Sequence, residues 1–257
     1  MLLTVYRRTV PAHRLCSRAC RCYDNVQDRP TGHHSKPNRM SMEENEMPNR
    51  LTSHDLARIS CSACEGCGEC CRGMDDTIHL DPYDVYLLSQ NLGTDFGELL
   101  NTRIGLHVDG GLVLPHLLMD KETDACSFLG PDGRCSIHAF RPGFCRLYPL
   151  GRVYENGTLG YFVTDSVCPE GRSKVRIHKW LEIADLPRYE AFLLTWHDFR
   201  KEVQKKLLSA QDMELSQKTA LYILDLFYGT PTAPGRDFHT AFARRIKKAR
   251  KDLGLSV

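Results

Sequence analysis

The chain has 257 residues, with 34 basic and 32 acidic side chains and a formal net charge of +2 at pH 7. This near balance argues against a strongly basic nucleic-acid-binding protein and against a solubilising acidic tail. Hydrophobic residues make up 42% of the sequence, which is enough for a folded core, and no apolar run is long enough to span a bilayer. The length fits one domain with extensions or two small domains.

The N-terminal segment, residues 1–50, is expected to be a disordered tail, because it is polar, punctuated by prolines and without apolar periodicity. Its start is rich in arginine and has no acidic residue, which leaves two interpretations. One is a mitochondrial transit segment. The other, which we favour, is a spurious upstream extension with Met40, Met42 or Met47 as the true start. Three cysteines would then have no role: Cys16, Cys20 and Cys22.

Residues 51–172 are predicted to form a cysteine-cluster domain that contains two short helices. The first should begin at Asp81-Pro82, because aspartate can accept free N–H groups and a proline at the first helical position needs no partner. It should end near Gly93. Thr94 is expected to cap the second helix, which the segment DFGELLNTRI would form.

Three hairpins are predicted after these helices. Residues 106–119 carry two apolar runs around an Asp-Gly-Gly turn, and residues 126–138 have Pro-Asp-Gly at their tip with a cysteine on each arm. Residues 151–164 should turn at an Asn-Gly pair. The segment between the second and third hairpins, residues 141–149, contains two prolines and a glycine and is predicted to be a rigid irregular loop.

Residues 173–257 are predicted to form a helical C-terminal extension. Helical periodicity runs from about 175 to 206 and from 212 to 228, and a last basic helix places Phe238, Phe242 and Ile246 on one stripe. The basic face of this helix is interpreted as solvated surface, with RNA or membrane contact as the alternative. The residues predicted to enter the core from the first helical stretch are apolar: Trp180, Leu181, Ile183, Phe192, Leu193 and Trp196.

The fold class that these elements predict is α+β. We expect a small, irregular, hairpin-rich metal lobe with flanking helices and a helical C-terminal half.

Cysteine placement is the strongest functional signal, since five of the 12 cysteines occur in the run CSACEGCGECC, residues 61–71. The sequence lacks the apolar core of a secretory signal peptide, so a cytoplasmic location is expected, and clustered thiols there indicate metal more than disulfides. A thiol at every third residue lets neighbouring thiolates converge on one centre, as in iron–sulfur and zinc sites. Gly66 and Gly68 allow the positive φ values that such a tight wrap needs.

Eight thiols would suffice for two four-thiolate centres, with Cys61 as a ninth. The eight candidate metal ligands are Cys64, Cys67, Cys70, Cys71, Cys126, Cys135, Cys145 and Cys168. Cys168 precedes a proline, as the remote fourth ligand of ferredoxin-type clusters does. An iron–sulfur cluster, of the 4Fe–4S type, is preferred over zinc, which remains the alternative.

Charged and polar neighbours of the cysteines form a second set of candidates. Arg72, Arg141 and Arg146 are expected to offset the thiolate charge and so help bind the cofactor. For Arg141 and Arg146 the alternative is that they brace the loop by donating to backbone carbonyls. His138 is a candidate ligand, or else an ordinary hairpin histidine.

Three blocks of this sequence resemble a known family: CEGCGECCR (64–72), CSFLGPDGRCSIHAFRPGFCRLYP (126–149) and CPEG (168–171). They are similar to the CxxCxxCC zinc- or iron-chelating domain, also described as the YkgJ-type cysteine cluster, which includes flagellin lysine N-methylase proteins. The resemblance covers about residues 60–172 and implies metal binding through the eight cysteines. For the methylase branch it also implies an iron–sulfur centre and methyl transfer to lysine.

Three functions remain open. The favoured one is a metal-binding module with a structural or redox centre. The alternatives are a protein-lysine N-methyltransferase and a metal storage or delivery protein. No glycine-rich loop of the Rossmann type follows a strand and no CxxxCxxC motif is present, so the catalytic residues of an enzyme are unknown. The expected partners are a metal ion or cluster and, for the enzyme, a protein substrate, without nucleic acid or membrane.

Overall fold

The computed structural model describes residues 50–60, 68–164, 173–233 and 235–256. The chain divides into two units, Met1–Glu46 and Met47–Val257, and all of the described residues lie in the second. Apart from Arg50, whose guanidinium donates to the Thr158 hydroxyl at 2.5 Å, the expected N-terminal tail lies outside the described residues, with its three cysteines Cys16, Cys20 and Cys22.

The described residues contain helices and three separate two-stranded antiparallel sheets, which confirms the predicted α+β class. The strands are β1 Leu56–Ser60, β2 Ile104–Asp109, β3 Leu112–Leu117, β4 Leu150–Glu155, β5 Thr158–Val163 and β6 Ser173–Arg176. The helices are α1 Pro82–Leu92, α2 Phe96–Leu99, α3 Gly143–Leu147, α4 Ile177–Leu181, α5 Leu186–Ala210, α6 Met213–Leu224 and α7 Phe238–Asp252. A π-helical turn, Asp225–Gly229, continues α6.

Two of the predicted hairpins are confirmed. Strands β2 and β3 are joined by Gly110 and Gly111, with φ angles of 55° and 85°. Strands β4 and β5 are joined by Asn156 and Gly157, with φ angles of 49° and 68°. Positive φ at both central residues is the conformation of a two-residue hairpin turn, and it explains why Gly and Asn occupy these positions.

The predicted hairpin at residues 126–138 is a tight turn whose two arms form few backbone hydrogen bonds with each other. A single antiparallel bridge joins Leu129 and Cys135, and Gly130 donates its N–H to the carbonyl oxygen of Arg134 with an N···O distance of 2.8 Å. The N–H of Ser136 also donates to the carbonyl oxygen of Phe128 at 2.9 Å, so the pairing of the two arms stays close to the Pro-Asp-Gly tip.

The helix α1 confirms its predicted boundaries. The carboxylate of Asp81 accepts the N–H groups of Tyr83 and Asp84 at 2.9 Å each, and Gly93 ends the helix with a φ of 66°. The predicted second helix is much shorter than DFGELLNTRI, since α2 ends at Leu99.

The predicted cap of α2 is also wrong, because the residue that caps this helix is Asp95 and not Thr94. The Asp95 carboxylate accepts the N–H of Glu98 at 2.8 Å, and the Glu98 carboxylate accepts the N–H of Asp95 at 3.1 Å. This reciprocal pair satisfies two free donors at once, which a threonine one residue earlier does not do.

Two other segments differ from their predictions. Residues 141–149, predicted as an irregular loop, contain the helix α3, which starts directly after Pro142. The predicted helix at 175–206 is interrupted, because β6 extends to Arg176 and Glu182 adopts a φ of 53° after α4. Pro187 and the capping carboxylate of Asp185 then start α5.

One hydrophobic core contains residues from both predicted domains, including Ile59, Leu88 and Leu117 from the first and Phe199 and Phe242 from the second. The stripe predicted on the last helix is buried, as are four of the six predicted core residues of the preceding stretch: Leu181, Phe192, Leu193 and Trp196. Trp180 and Ile183 are partly buried against the core. Within the described ranges, no helix combines the length and apolar character that crossing a bilayer requires.

Candidate metal centre

The cysteine doublet lies directly beside Cys126. The N–H of Cys126 donates to the carbonyl oxygen of Cys71 with an N···O distance of 2.7 Å, and the N–H of Gly73 donates to the carbonyl oxygen of Asp124 at 2.9 Å. The chain after Cys71 therefore runs antiparallel to the chain before Cys126. Backbone hydrogen bonding therefore holds Cys71 and Cys126, from two separate motif blocks, next to each other.

Gly68 allows the doublet Cys70-Cys71 to lie close to the turn that precedes Cys135. Its φ of 65° is in the left-handed region, and its carbonyl oxygen accepts the N–H of Cys71 at 3.0 Å. A β-carbon at Gly68 would lie 3.0 Å from the carbonyl oxygen of Gly133, in the turn between Cys126 and Cys135. Glycine is needed here for both the backbone angle and the close contact. The positive φ predicted at Gly68 is confirmed, whereas Gly66 lies outside the described residues.

Backbone N–H groups favour the ionised form of two of the thiols. The N–H of Phe128 lowers the pKa of Cys126 and that of Ile137 lowers the pKa of Cys135, in each case from two residues further along the chain. Burial raises the pKa of both thiols, and these N–H donors oppose that rise because they stabilise the thiolate. Donors arranged this way suit a thiolate that binds a cation.

The five described cysteines also influence one another electrostatically. The hydrogen bond to Cys70 is the largest cause of the raised pKa of Cys71, followed by burial and by the charges of Cys70, Cys126 and Cys135. Burial raises the pKa of Cys145, and the nearby Cys126, Asp84 and Cys135 raise it further. Ionising these thiols together is unfavourable without a positive partner, and a bound metal ion would remove that repulsion.

Exposure differs among the five thiols. Cys126 is buried, Cys71, Cys135 and Cys145 are partly buried, and Cys70 is exposed. Those four buried or partly buried cysteines are not in disulfides. Thiols are ligands for both zinc and iron, so the donor chemistry fits the implied metal.

The described residues by themselves do not assemble a complete site. In the ranges that the structure covers, no group of three or more His, Cys, Asp or Glu side chains is arranged to hold a metal ion. The other predicted ligands lie outside the described residues: Cys64, Cys67 and Cys168, together with the spare Cys61.

Strands β1 and β6 flank the two segments that carry those other cysteines. They pair antiparallel, with Ser60 opposite Ser173. Ser60 directly precedes residues 61–67, and Ser173 directly follows residues 165–172. The sheet therefore brings one end of each segment to the same place.

The arginine candidates have different surroundings. Arg146 donates to the carbonyl oxygens of Arg141 at 3.1 Å and Ala139 at 2.6 Å, which favours the interpretation that it braces the loop. Arg141 forms an ion pair with Glu182 at 3.4 Å, and its charge lowers the pKa of Cys135. The binding of a cofactor by these residues stays a prediction.

The other two candidates, His138 and Arg72, do not brace the loop by donating to its carbonyl oxygens. His138 is exposed, and its Nε2 atom contacts the guanidinium of Arg141. Arg72 is also exposed and is bridged through its backbone to Ala125.

Sequence reasoning missed a buried polar network next to Cys145. Asp84 is only 3% exposed, and its Oδ1 atom accepts the N–H of Gly143 at 2.7 Å. Tyr189 and Arg152 complete the network. The Asp81–Asp84 spacing, with a carboxylate three residues after the cap, could have indicated a capping box, but nothing in the sequence links Asp84 to Gly143.

The comparison with protein families gives one match. Residues 63–169 match the CxxCxxCC model, described as a putative zinc- or iron-chelating domain. This range contains all eight candidate ligands and confirms the resemblance noted in the sequence. Searches of curated proteins and of solved structures gave no significant match.

Proposed function

We propose, from the premise that residues 63–169 form a CxxCxxCC zinc- or iron-chelating domain, that the protein binds its metal in a cysteine-thiolate centre with a structural or redox role. The observation that carries this proposal is the backbone hydrogen bond between Cys71 and Cys126, because it joins two motif blocks that are far apart in sequence. The backbone N–H groups of Phe128 and Ile137 support it, because they favour the thiolate forms of Cys126 and Cys135.

The proposed ligands are the eight cysteines of the motif blocks: Cys64, Cys67, Cys70, Cys71, Cys126, Cys135, Cys145 and Cys168. The pairing of β1 with β6 supports this set, since it joins the ends of the two segments that carry Cys64, Cys67 and Cys168. Eight thiolates would serve two four-thiolate centres.

The burial of the thiols favours a structural or redox centre over a storage protein. A storage or delivery site has to release its metal and needs accessible thiolates, whereas Cys126 is buried and three of its neighbours are partly buried. A buried thiolate centre stabilises the fold that surrounds it, because metal-binding energy is folding energy. The uncrosslinked thiols also fit the reducing cytoplasm, which is the location we propose.

Iron–sulfur is the metal form that we propose, with zinc as the alternative. The support is the Cys168-Pro169 pair, which is typical of the remote ligand of ferredoxin-type clusters. An iron–sulfur cluster would supply electron transfer, whereas a zinc ion with four protein ligands would only link the segments that bind it. In either case the chain's own residues would hold the thiolates in place, and burial would keep water from Cys126.

The experiment compares the full chain with two cysteine variants after anaerobic purification, by metal and sulfide analysis and visible absorption. Cys126→Ser removes the buried thiol and should lower the bound metal, while Cys20→Ser, a matched change outside the motif blocks, should leave it unchanged. A colourless protein with stoichiometric zinc contradicts the iron–sulfur form. Equal metal content in wild type and Cys126→Ser contradicts the proposed ligand set.

The lysine N-methyltransferase hypothesis rests on the family resemblance alone. It requires S-adenosylmethionine, and calorimetric titration of the metal-loaded protein with this compound tests it. Heat of binding that saturates at one equivalent would support the enzyme, and a flat trace would contradict it.

A further inference from the structure

The carboxylate of Asp84 connects two helices. Its Oδ2 atom accepts the N–H of Asp81 at 3.0 Å, which completes the capping box of α1. Its Oδ1 atom accepts the N–H of Gly143 at 2.7 Å, at the first residue of α3. Since Asp84 is buried, both of these bonds form away from solvent, where an unpaired donor would be costly.

Helix α3 has no cap of its own. The residue before it is Pro142, whose side chain makes no capping hydrogen bond, and the first N–H groups of a helix have no partner inside the helix. Asp84 provides from α1 an acceptor for the first of these free N–H groups, that of Gly143. The start of α3 is therefore held by a residue that is remote in sequence.

Gly143 is also enclosed on its other side. A β-carbon there would lie 2.0 Å from the hydroxyl oxygen of Tyr189 and 3.1 Å from the Nη2 atom of Arg152. The Tyr189 hydroxyl donates to the Oδ2 atom of Asp81 at 3.2 Å, and Arg152 donates to Tyr189 at 3.3 Å. The backbone at Gly143 therefore has little freedom to move.

Cys145 follows two residues after Gly143, within the same short helix. Its thiol lies near the charges of Cys126, Cys135 and Cys70. A helix of one and a half turns has little stability alone, so its orientation depends on the contacts that hold its ends.

We propose that Asp84 is a positioning residue for the metal centre, which holds the start of α3 so that Cys145 faces the other cysteines. This inference rests on the proposed function. Asp84, which lies outside the cysteine motif blocks, would thus raise metal affinity through its hydrogen bond with Gly143.

The test measures the affinity of the full chain for Zn²⁺ by competition with a chromophoric chelator, and the thiolate-to-metal absorption of the Co²⁺-loaded protein. Asp84→Ala should weaken binding about tenfold or more, as loss of supporting contacts does at metal sites, and should lower the absorption per bound Co²⁺. Asp84→Asn should recover most of the affinity, because its amide oxygen can still accept from Gly143.

Glu98→Ala is the control, since Glu98 occupies in the capping box of α2 the position that Asp84 occupies in α1, and the change does not touch α3. It should lower thermal stability and leave the affinity at the wild-type value. If Asp84→Ala does not fold, Asp84→Ser replaces it, because the shorter hydroxyl does not reach Gly143 while it remains polar within the capping box.

The outcomes separate this inference from the proposed function. Wild-type metal affinity in Asp84→Ala, or equal losses in the Ala and Asn variants, overturns the positioning role and leaves the metal centre standing. A wild-type protein that binds neither Zn²⁺ nor Co²⁺ overturns the proposed function and the positioning role with it.

Discussion

The backbone N–H of Cys126 donates to the carbonyl oxygen of Cys71 across 2.7 Å. The bond belongs to a short antiparallel contact that places the end of the CxxCxxCC run against the start of the second motif block. Backbone bonds of this kind hold two thiols near each other without a disulfide. The contact therefore supports the proposed centre, in which one metal ion or cluster would bind several thiols.

Gly68→Ala should destabilise the protein by about 2 kcal/mol or more, because it adds left-handed backbone strain and a β-carbon 3.0 Å from the carbonyl oxygen of Gly133. Gly93→Ala is the matched control, since Gly93 has nearly the same φ and open space around its β-carbon position. Its cost should be about 1 kcal/mol from strain alone. Urea unfolding measures both, and equal costs would mean that the contact with Gly133 is unimportant.

Apparent metal affinity should rise steeply with pH. The pKa values of Cys71, Cys126, Cys135 and Cys145 all lie above the ordinary thiol value of 9.0, so these thiols carry protons at neutral pH. A metal has to displace those protons, and each rise in pH makes the displacement easier. Chelator competition from neutral to alkaline pH measures the effect. A plateau well below the ordinary thiol pKa would contradict it.

Gly143→Ala should destabilise the protein by about 2–3 kcal/mol, because the new methyl group would overlap the Tyr189 hydroxyl. Tyr189→Phe removes that oxygen and should relieve part of the overlap, although the ring carbon Cζ remains 3.2 Å from the same position. The double variant should therefore lose less stability than the two single variants added together. Additive losses in thermal unfolding would indicate that the two residues do not interact.

Arg146→Lys should cost about 1–3 kcal/mol, since a lysine cannot reproduce the branched donation to the carbonyl oxygens of Arg141 and Ala139. The same change at the exposed Arg244 is the control and should have little effect. Denaturant unfolding of both variants tests this. A neutral Arg146→Lys would argue against the bracing role.

The sequence predicts those elements whose signals are local. Asp81-Pro82 and Gly93 mark the ends of α1, and Asn156-Gly157 marks a hairpin, because one or two residues determine each feature. The confirmed family resemblance likewise rests on three short motif blocks, each of which is recognised from its local sequence.

What the sequence does not predict depends on distant contacts. Helix α3 occurs in a segment rich in proline and glycine because Asp84, remote in sequence, caps it. The break after α4 requires Glu182 in a left-handed conformation that its residue type does not suggest. For α2, two adjacent residues both suit a cap, and only the exchange of hydrogen bonds between Asp95 and Glu98 decides between them.

The most direct test of the metal centre is the iron, zinc and sulfide content of the full chain purified without oxygen, measured together with the state of its thiols. The account predicts bound iron with sulfide, and no disulfide among Cys71, Cys126, Cys135 and Cys145. A protein without iron or zinc, or one in which these four cysteines are paired with one another, would contradict it.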